Sequence, residues 1–420
     1  MPPARRSAHC TTPPERSSRG APLTSPRTVI VAGAGIGGLT AALALSRYGF
    51  RVVVVEQAAR LEETGAGIQL SPNASRILIE FGLGERLRPV VTVPTALRVL
   101  NAASGHEIVS MPLAGAEERY GAPYWAVHRG DLQAALAAAA LRQPGVTVKL
   151  GQRMEDFITH PHGISVLTVG GAGTVDERGV ALIAADGLWS RARERLGHTE
   201  PPRFSGRVAW RGLVPARLVA PEFREPLIHL WLGRDAHLVH YPVKAGSVIN
   251  LVVITTDPWH QPGWSEAADR AELVPRLAVE DWAPPARALV GLPEAWLKWA
   301  LYERRPIRRW SKGLVALLGD AAHPMFPFLA QGAGMAIEDA VVAAQCLART
   351  PDNPAGALRT YAAIRRERTR KVQRMAARNG TIYHLAGSLG WLRDHVMRAM
   401  GGARLMQHYD WIYDWRPPSV

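Results

Sequence analysis

The amino-acid sequence predicts an α/β protein in which a Rossmann-like dinucleotide-binding domain is joined to a second, mainly antiparallel β-sheet domain and a C-terminal helical segment. Three stretches carry that expectation: a glycine-punctuated strand–helix–strand unit at 28–57, four runs of alternating aliphatic and polar residues over 204–256, and an arginine-rich helical end from residue 355. The division that follows assigns 28–203 and 301–355 to the nucleotide domain, 204–300 to the second domain and 356–420 to the terminal helices, behind a leader at 1–27.

The leader is rich in Pro, Ser, Thr and Arg and almost lacks large apolar residues, so disorder is expected there. It has no apolar segment of the kind a secretory signal needs. The β-branched run Val29, Ile30, Val31 then reads as a buried parallel strand. Gly33-Ala34-Gly35-Ile36-Gly37-Gly38 turns it into an Ala/Leu-rich helix reaching about residue 48, and a second strand over 51–55 ends on Glu56. In such a unit Gly33 permits the tight turn, Gly35 lets the backbone approach a pyrophosphate, and Gly38 lets helix and strand pack closely. Glu56 stands where a carboxylate would accept from an adenosine ribose hydroxyl, and the helix N-terminus offers free N–H groups to the diphosphate. The motif serves FAD and NAD alike.

Residues 65–87 read as a glycine-bearing loop and a helix opening near Ser71-Pro72-Asn73, where proline suits the first turn. Residues 96–111 look like strands of a small sheet and 124–128 like one more, after which Arg129 immediately precedes a helix capped near Asp131. Strands follow at 146–150, 154–159, 164–169 and 180–184, the last running into Asp186-Gly187 and a basic helix through Arg195. Beyond the alternating runs a helix is expected over about 265–282, strands over 297–307 and 313–318, and a helix starting near Gly332. The arginines between 359 and 378 read as the solvated face of a helix.

Composition narrows the function. Of 420 residues 47% are hydrophobic and 20% charged, an ordinary globular balance, and no apolar run approaches the ~20 residues that span a bilayer. Cys10 and Cys346 lack metal-ligating neighbours, which suits a reducing, cytoplasmic setting without a disulfide framework. The net charge of +14 raises nucleic acid as a partner, but no nucleic-acid motif accompanies it. Attraction of an anionic cofactor and substrate accounts for that charge.

Three separated segments together resemble the single-component FAD-dependent aromatic hydroxylases, the class A flavoprotein monooxygenases, over residues 28–378. Gly33, Gly35 and Gly38 with Glu56 match the residues that hold the ADP half of FAD there. Ala185-Asp186-Gly187 with Ser190 and Arg193 is similar to the family's DG motif, associated with both FAD and NAD(P)H. Gly319-Asp320-Ala321-Ala322-His323-Pro324 is similar to its GD motif, whose aspartate contacts the flavin ribose, and Arg129 matches an arginine near the diphosphate. The run PFLAQGAGMAIEDA at 327–340 looks like the subgroup containing salicylate hydroxylase, 3-hydroxybenzoate 6-hydroxylase and 6-hydroxynicotinate 3-monooxygenase. In that subgroup the positions of Pro327, Gln331, Gly332 and Ala333 lie against the isoalloxazine.

His237 and Tyr241 match positions that face the substrate hydroxyl in the same subgroup. On a strand residues four apart share a face, so both rings can reach one pocket while His240 points away. The resemblance implies His237 as base, with Tyr241 and Gln331 orienting the substrate. It implies a glutathione-reductase-like FAD domain, FAD as cofactor and NADH or NADPH as co-substrate. The expected reaction is O2-dependent hydroxylation of a small phenolic aromatic or heteroaromatic acid through a flavin hydroperoxide, in a monomer or homodimer. A larger natural product as substrate and a non-catalytic flavin-binding regulator are the alternatives left open. No W-x-W-x-I-P segment supports a halogenase. Gly170-Gly171-Ala172-Gly173 is followed by no matching glycine and helix, which speaks against a two-nucleotide-domain reductase.

Overall fold

The computed structural model describes residues 27–61, 66–171, 173–259, 265–277 and 281–418; residues 1–26 of the leader expected at 1–27, with Cys10, and Gly65 lie outside them. Thr28–Ala32 occupies the middle of a six-stranded sheet ordered Ser311–Lys312, Val315–Leu317, Ala181–Ala184, Thr28–Ala32, Arg51–Val55, Val146–Lys149. All neighbours are parallel except the first pair. A parallel sheet covered on both faces needs apolar side chains in succession, and Val29, Ile30, Val31, Leu182 and Ile183 are all fully buried.

Helix Ile36–Ser46 packs against Gly332–Arg349 and Arg129–Leu141. Close approach is possible because Gly37 has no side chain: a Cβ there would lie 2.7 Å from Leu318 Cδ2 and 3.1 Å from Ala336 Cβ. The first helix thus packs against Leu318, just before the Gly319 turn, although about 280 residues of chain separate Gly37 from it.

The mainly antiparallel second sheet has eight strands, ordered Glu266–Ala268, Trp296–Glu303, Arg203–Pro215, Val248–Thr256, Ala236–Val243, Leu227–Leu232, Ala96–Asn101, Glu107–Pro112. Its last two members correct the sequence reading. Residues 96–111 do not form a small sheet of their own; Ala96–Asn101 pairs in parallel with Leu227–Leu232 and extends the larger one. Alternation in the sequence marks a strand, but the choice of partner is made by the free edge of Leu227–Leu232, which comes more than a hundred residues later. A separate three-stranded sheet is built from Gln152–His160, Gly163–Gly170 and Gly173–Gly179.

The helix expected over 265–282 does not fill its range: Glu266–Ala268 is an edge strand, the α-helix described there is Arg270–Arg276, and residues 278–280 lie outside the described residues. Asp269 is the cap: its side chain accepts from Ala271 N at 2.9 Å, and Pro275 near the far end deprives the helix of a donor.

The arginine-rich end forms Pro354–Tyr383, followed by Gly387–Met400 and Gly402–Gln407. Arg359, Arg370, Arg374 and Arg378 are exposed as expected, but Arg365 is not on a solvated face. Its guanidinium is fully buried, with Nη1 at 2.6 Å from Glu338 Oε2 and Nε donating to Asp339 Oδ1 at 2.6 Å. Arg368 donates to both Glu338 oxygens at 2.7 and 2.8 Å, and the Trp415 ring lies 4.9 Å from each guanidinium. Two buried carboxylates on Gly332–Arg349 demand such partners, so this network ties the two longest helices together.

Candidate active site

The glycine turn divides its work among three positions. Gly33 has φ +100°, and a Cβ on it would meet the Ala185 carbonyl oxygen at 2.4 Å. At Gly38 a Cβ would fall 1.9 Å from the Gly33 oxygen, so only glycine lets the helix start this close to the strand. A Cβ on Gly35 meets nothing within 4 Å, which leaves the outer side of the turn open in front of the helix N-terminus. Glu56 Oε2 accepts from Ala34 N at 2.7 Å and Oε1 from Ala58 N at 2.8 Å, fixing that carboxylate beside the turn. Gln133, which the sequence did not single out, donates to the Ala34 carbonyl at 2.9 Å.

Asp186 and Asp320 are the next chemical groups around this opening. Asp186 Oδ2 accepts from Ala192 N at 3.2 Å, whereas Oδ1 is buried with no partner, and burial raises its pKa. Ser190 Oγ caps the following short helix by accepting from Arg193 N at 2.9 Å. Arg193 turns inward and donates to the carbonyls of Ala321 and Ala322 at 3.2 Å and of Arg305 at 3.0 Å, which clamps the Asp186 turn to the Asp320 turn. Gly319 adopts φ +62°, and its N–H donates to Asp339 Oδ2 at 3.1 Å. His323 Nε2 lies 2.5 Å from the same oxygen. The Asp320 carboxyl is accessible yet ringed by protein, which raises its pKa, while His323 and Arg129 pull it the other way.

A turn at Pro327–Leu329 and Ala330, a non-glycine residue at φ +51°, lead into Gly332–Arg349. Gln331, expected to orient substrate, is buried: its Nε2 donates to Ser71 Oγ at 2.8 Å and its Oε1 accepts from Asn73 Nδ2 at 3.3 Å. Asn73 also donates to Glu338 at 2.7 Å, so these side chains lock the start of that helix onto Pro72–Glu80. Gln331 therefore does not belong to the wall of the adjacent cavity.

That cavity, of about 940 Å³, lies between the eight-stranded sheet and the C-terminal helices, and His237, Val239 and the segment 327–330 form part of its wall. His237 is buried, with Nδ1 at 2.8 Å from His384 Nε2 and the rings of Phe328 and Tyr383 each 5.5 Å away. Burial first, then His384 and Arg207, hold its pKa well below the usual histidine value, so at neutral pH the imidazole is uncharged. His384 carries no sequence motif; it caps the long helix, and burial with Arg207 and Arg393 lowers it to about 4.

The face alternation holds: His240 is on the opposite side, stacked on His229 at 4.5 Å. Tyr241 shares the His237 face but stands behind the wall, where burial raises its pKa and Gln69 is its side-chain partner. Gln69 lines the cavity and also accepts from the Tyr124 hydroxyl at 2.8 Å, so Tyr241 reaches the space through this amide. Among the described residues, no group of three or more His, Cys, Asp or Glu could hold a metal, and no helix is long and apolar enough to cross a membrane.

The family model described as FAD binding domain matches residues 27–376. The chain belongs to that family. It is 36% identical over 387 residues to 3-hydroxybenzoate 6-hydroxylase 1 of Aquipseudomonas alcaligenes, covering 92% of this chain and 97% of that one. Among solved structures, Klebsiella pneumoniae HpxO complexed with FAD and uric acid superposes with a TM-score of 0.80 at 29% identity, covering 91% of this chain and 95% of that one. A salicylate hydroxylase substrate complex gives 0.77 at 25% identity, over 94% and 99% of the two chains. FAD fits the geometry: the turn is open at Gly35, Asp186 keeps a buried oxygen in need of a donor, and Asp320 faces accessible space.

Proposed function

We propose that the chain is an NAD(P)H- and O2-dependent flavin monooxygenase that hydroxylates a phenolic aromatic acid, with His237 as the base. The observation that carries this reading is a neutral, buried imidazole facing a largely apolar cavity beside the segment 327–330, which leads directly into the flavin-domain helix at Gly332. Gly33, Gly35, Gly38, Glu56, Arg129, Asp186, Gly319 and Asp320 are assigned to the ADP, diphosphate and ribose portions of FAD. Pro327, Gly332 and Ala333 are assigned to its ring system. When bound, FAD supplies reducing equivalents taken from NADH or NADPH and activates O2.

The protein's own part is acid–base chemistry and enclosure. His237 takes the phenol proton and holds it on the imidazole, while its Nδ1 stays paired with His384 Nε2, 2.8 Å away. The resulting phenolate is electron-rich at the ortho and para carbons, where oxygen is added. Gln69, held by Tyr124 and Tyr241, orients the ring. Phe328 and Leu329 keep water away. The substrate role first expected of Gln331 passes to Gln69, because Gln331 is committed to Ser71 and Asn73. A cytoplasmic location accords with the supply of NAD(P)H. The test is NADH and NADPH oxidation by the FAD-loaded protein against salicylate, hydroxybenzoates and 6-hydroxynicotinate, with product mass; stimulation without an added oxygen atom would refute the hydroxylase.

A further inference from the structure

The cavity is large for a single-ring acid. Its volume of about 940 Å³ stands at the upper end of the roughly 300–1,000 Å³ found for sites that enclose drug-sized ligands. Gly33, Gly35, Asp186 and Asp320 do not line it but Pro327, assigned to the flavin ring, does, so this space adjoins the ring end of the cofactor site and not the ADP cradle.

His237, Gln69 and Tyr124 contribute polar groups to its lining, whereas Leu97, Val99 and Leu230 of the sheet and Met397 and Leu405 of the terminal helices pack together into an apolar part of it, with Met400 also in the lining. Methionines are unbranched and polarizable, so that wall can adapt to chains of different shape. The apolar lining continues to the outside. Leu389, Leu392 and Val396 border the cavity and are nevertheless 59%, 51% and 48% exposed. Lys371, Arg374 and Arg378, one turn apart along Pro354–Tyr383, stand at the same border and are exposed. An entrance that is greasy and basic at once suits an anionic amphiphile, drawn in by charge and held by apolar contact.

We infer that the phenolic acid accepted at His237 carries an apolar alkyl arm, which lies along the Met397, Met400 and Leu405 wall toward Leu389 and Val396. The inference rests on the monooxygenase reading for the placement of the phenol and adds the substrate class.

The test uses the full, FAD-loaded chain. Hydroxybenzoates bearing no chain, or a propyl, hexyl or nonyl chain at each open ring position, are titrated below their aggregation limits, and dissociation constants are read from the flavin absorbance. For the best-fitting isomer, affinity should rise roughly three- to fourfold per methylene until the chain reaches the mouth. Met397→Trp, which narrows the apolar wall, should flatten that dependence. The inference is overturned if the unsubstituted acid binds as tightly as every alkylated isomer, or if Met397→Trp leaves the chain-length dependence unchanged. Parallel NAD(P)H oxidation separates the two claims. Chain-dependent binding without stimulated oxidation would uphold the alkyl site and sink the monooxygenase, whereas hydroxylation indifferent to the chain would do the reverse.

Discussion

Replacing Arg365 by alanine tests how the long basic helix supports the flavin domain. The guanidinium is fully buried and contacts Glu338 and Asp339, each at 2.6 Å, and both carboxylates are fully buried as well. Without it Asp339 keeps His323 and the Gly319 N–H, while Glu338 keeps Arg368 and Asn73. Breaking a buried ion pair by removing one partner costs about 3–5 kcal/mol. Because each carboxylate retains other partners, the lower end, about 3 kcal/mol, is expected here. Urea unfolding of the variant and the parent, both without FAD, measures it directly. FAD affinity should fall too, since Asp339 fixes the Gly319 N–H and hence the turn that carries Asp320.

The acid limb gives a second readout of the same network. Burial would raise the Asp339 carboxyl, but His323 and Arg365 outweigh it and hold it at about 2, below its ordinary 3.8. A depressed carboxylate stabilises the fold above its unfolded pKa and loses that contribution as pH falls from 3.8 through 2, here about 2 kcal/mol. Arg365→Ala should flatten this part of the stability curve. A loss below about 1 kcal/mol with an unchanged acid limb would refute the reasoning, since that is the range of an exposed pair.

Four further outcomes are expected. Gly35→Ala should leave apoprotein unfolding within about 0.5 kcal/mol of the parent while weakening FAD retention, because the new methyl points into open space where the diphosphate is assigned. Gly38→Ala should lose both properties, since its Cβ would collide with the Gly33 oxygen; equal behaviour of the two variants in both assays would contradict these roles. His237→Gln should slow substrate hydroxylation by about 10²–10⁴-fold with flavin occupancy intact, and less for nitro-substituted phenols that are already ionised. His229 is buried, and burial followed by Arg98 depresses it from 6.5 to about 4. Such a histidine leaves stability whole above pH 6.5 and removes up to about 3 kcal/mol as pH falls toward 4, a loss that His229→Leu should diminish in thermal unfolding.

The nucleotide half was legible because its chemistry is local. Strand, glycines, helix and Glu56 fall within thirty residues, and each glycine is dictated by a neighbour a few positions away. The face of Ala236–Val243 was legible for the same reason: strand geometry alone separates His237 from His240. Partner choice was not, since Ala96–Asn101 pairs with a strand that begins at Leu227. Arg365 left a trace that charge counting hides. Leu358, Tyr361, Arg365, Thr369, Val372 and Ala376 recur at helical spacing on the buried stripe, so its position, read by periodicity, marks it as interior. His384 left none, because it meets His237 only through the docking of the long helix on the sheet. Gln331 was placed at the right element but not in the right direction; side-chain orientation at a helix start depends on Ser71 and Asn73, some 260 residues earlier.

The most direct test of the assignment follows oxygen itself. FAD-loaded protein is supplied with NADH or NADPH, labelled O2 and a phenolic acid, bare or alkylated, and product is weighed against cofactor oxidised. One labelled oxygen atom in the product ring for each NAD(P)H consumed, lost in His237→Gln while FAD stays bound, is the expected result. Retained FAD with NAD(P)H oxidation indifferent to every phenolic acid, or oxidation that yields only hydrogen peroxide, would contradict it.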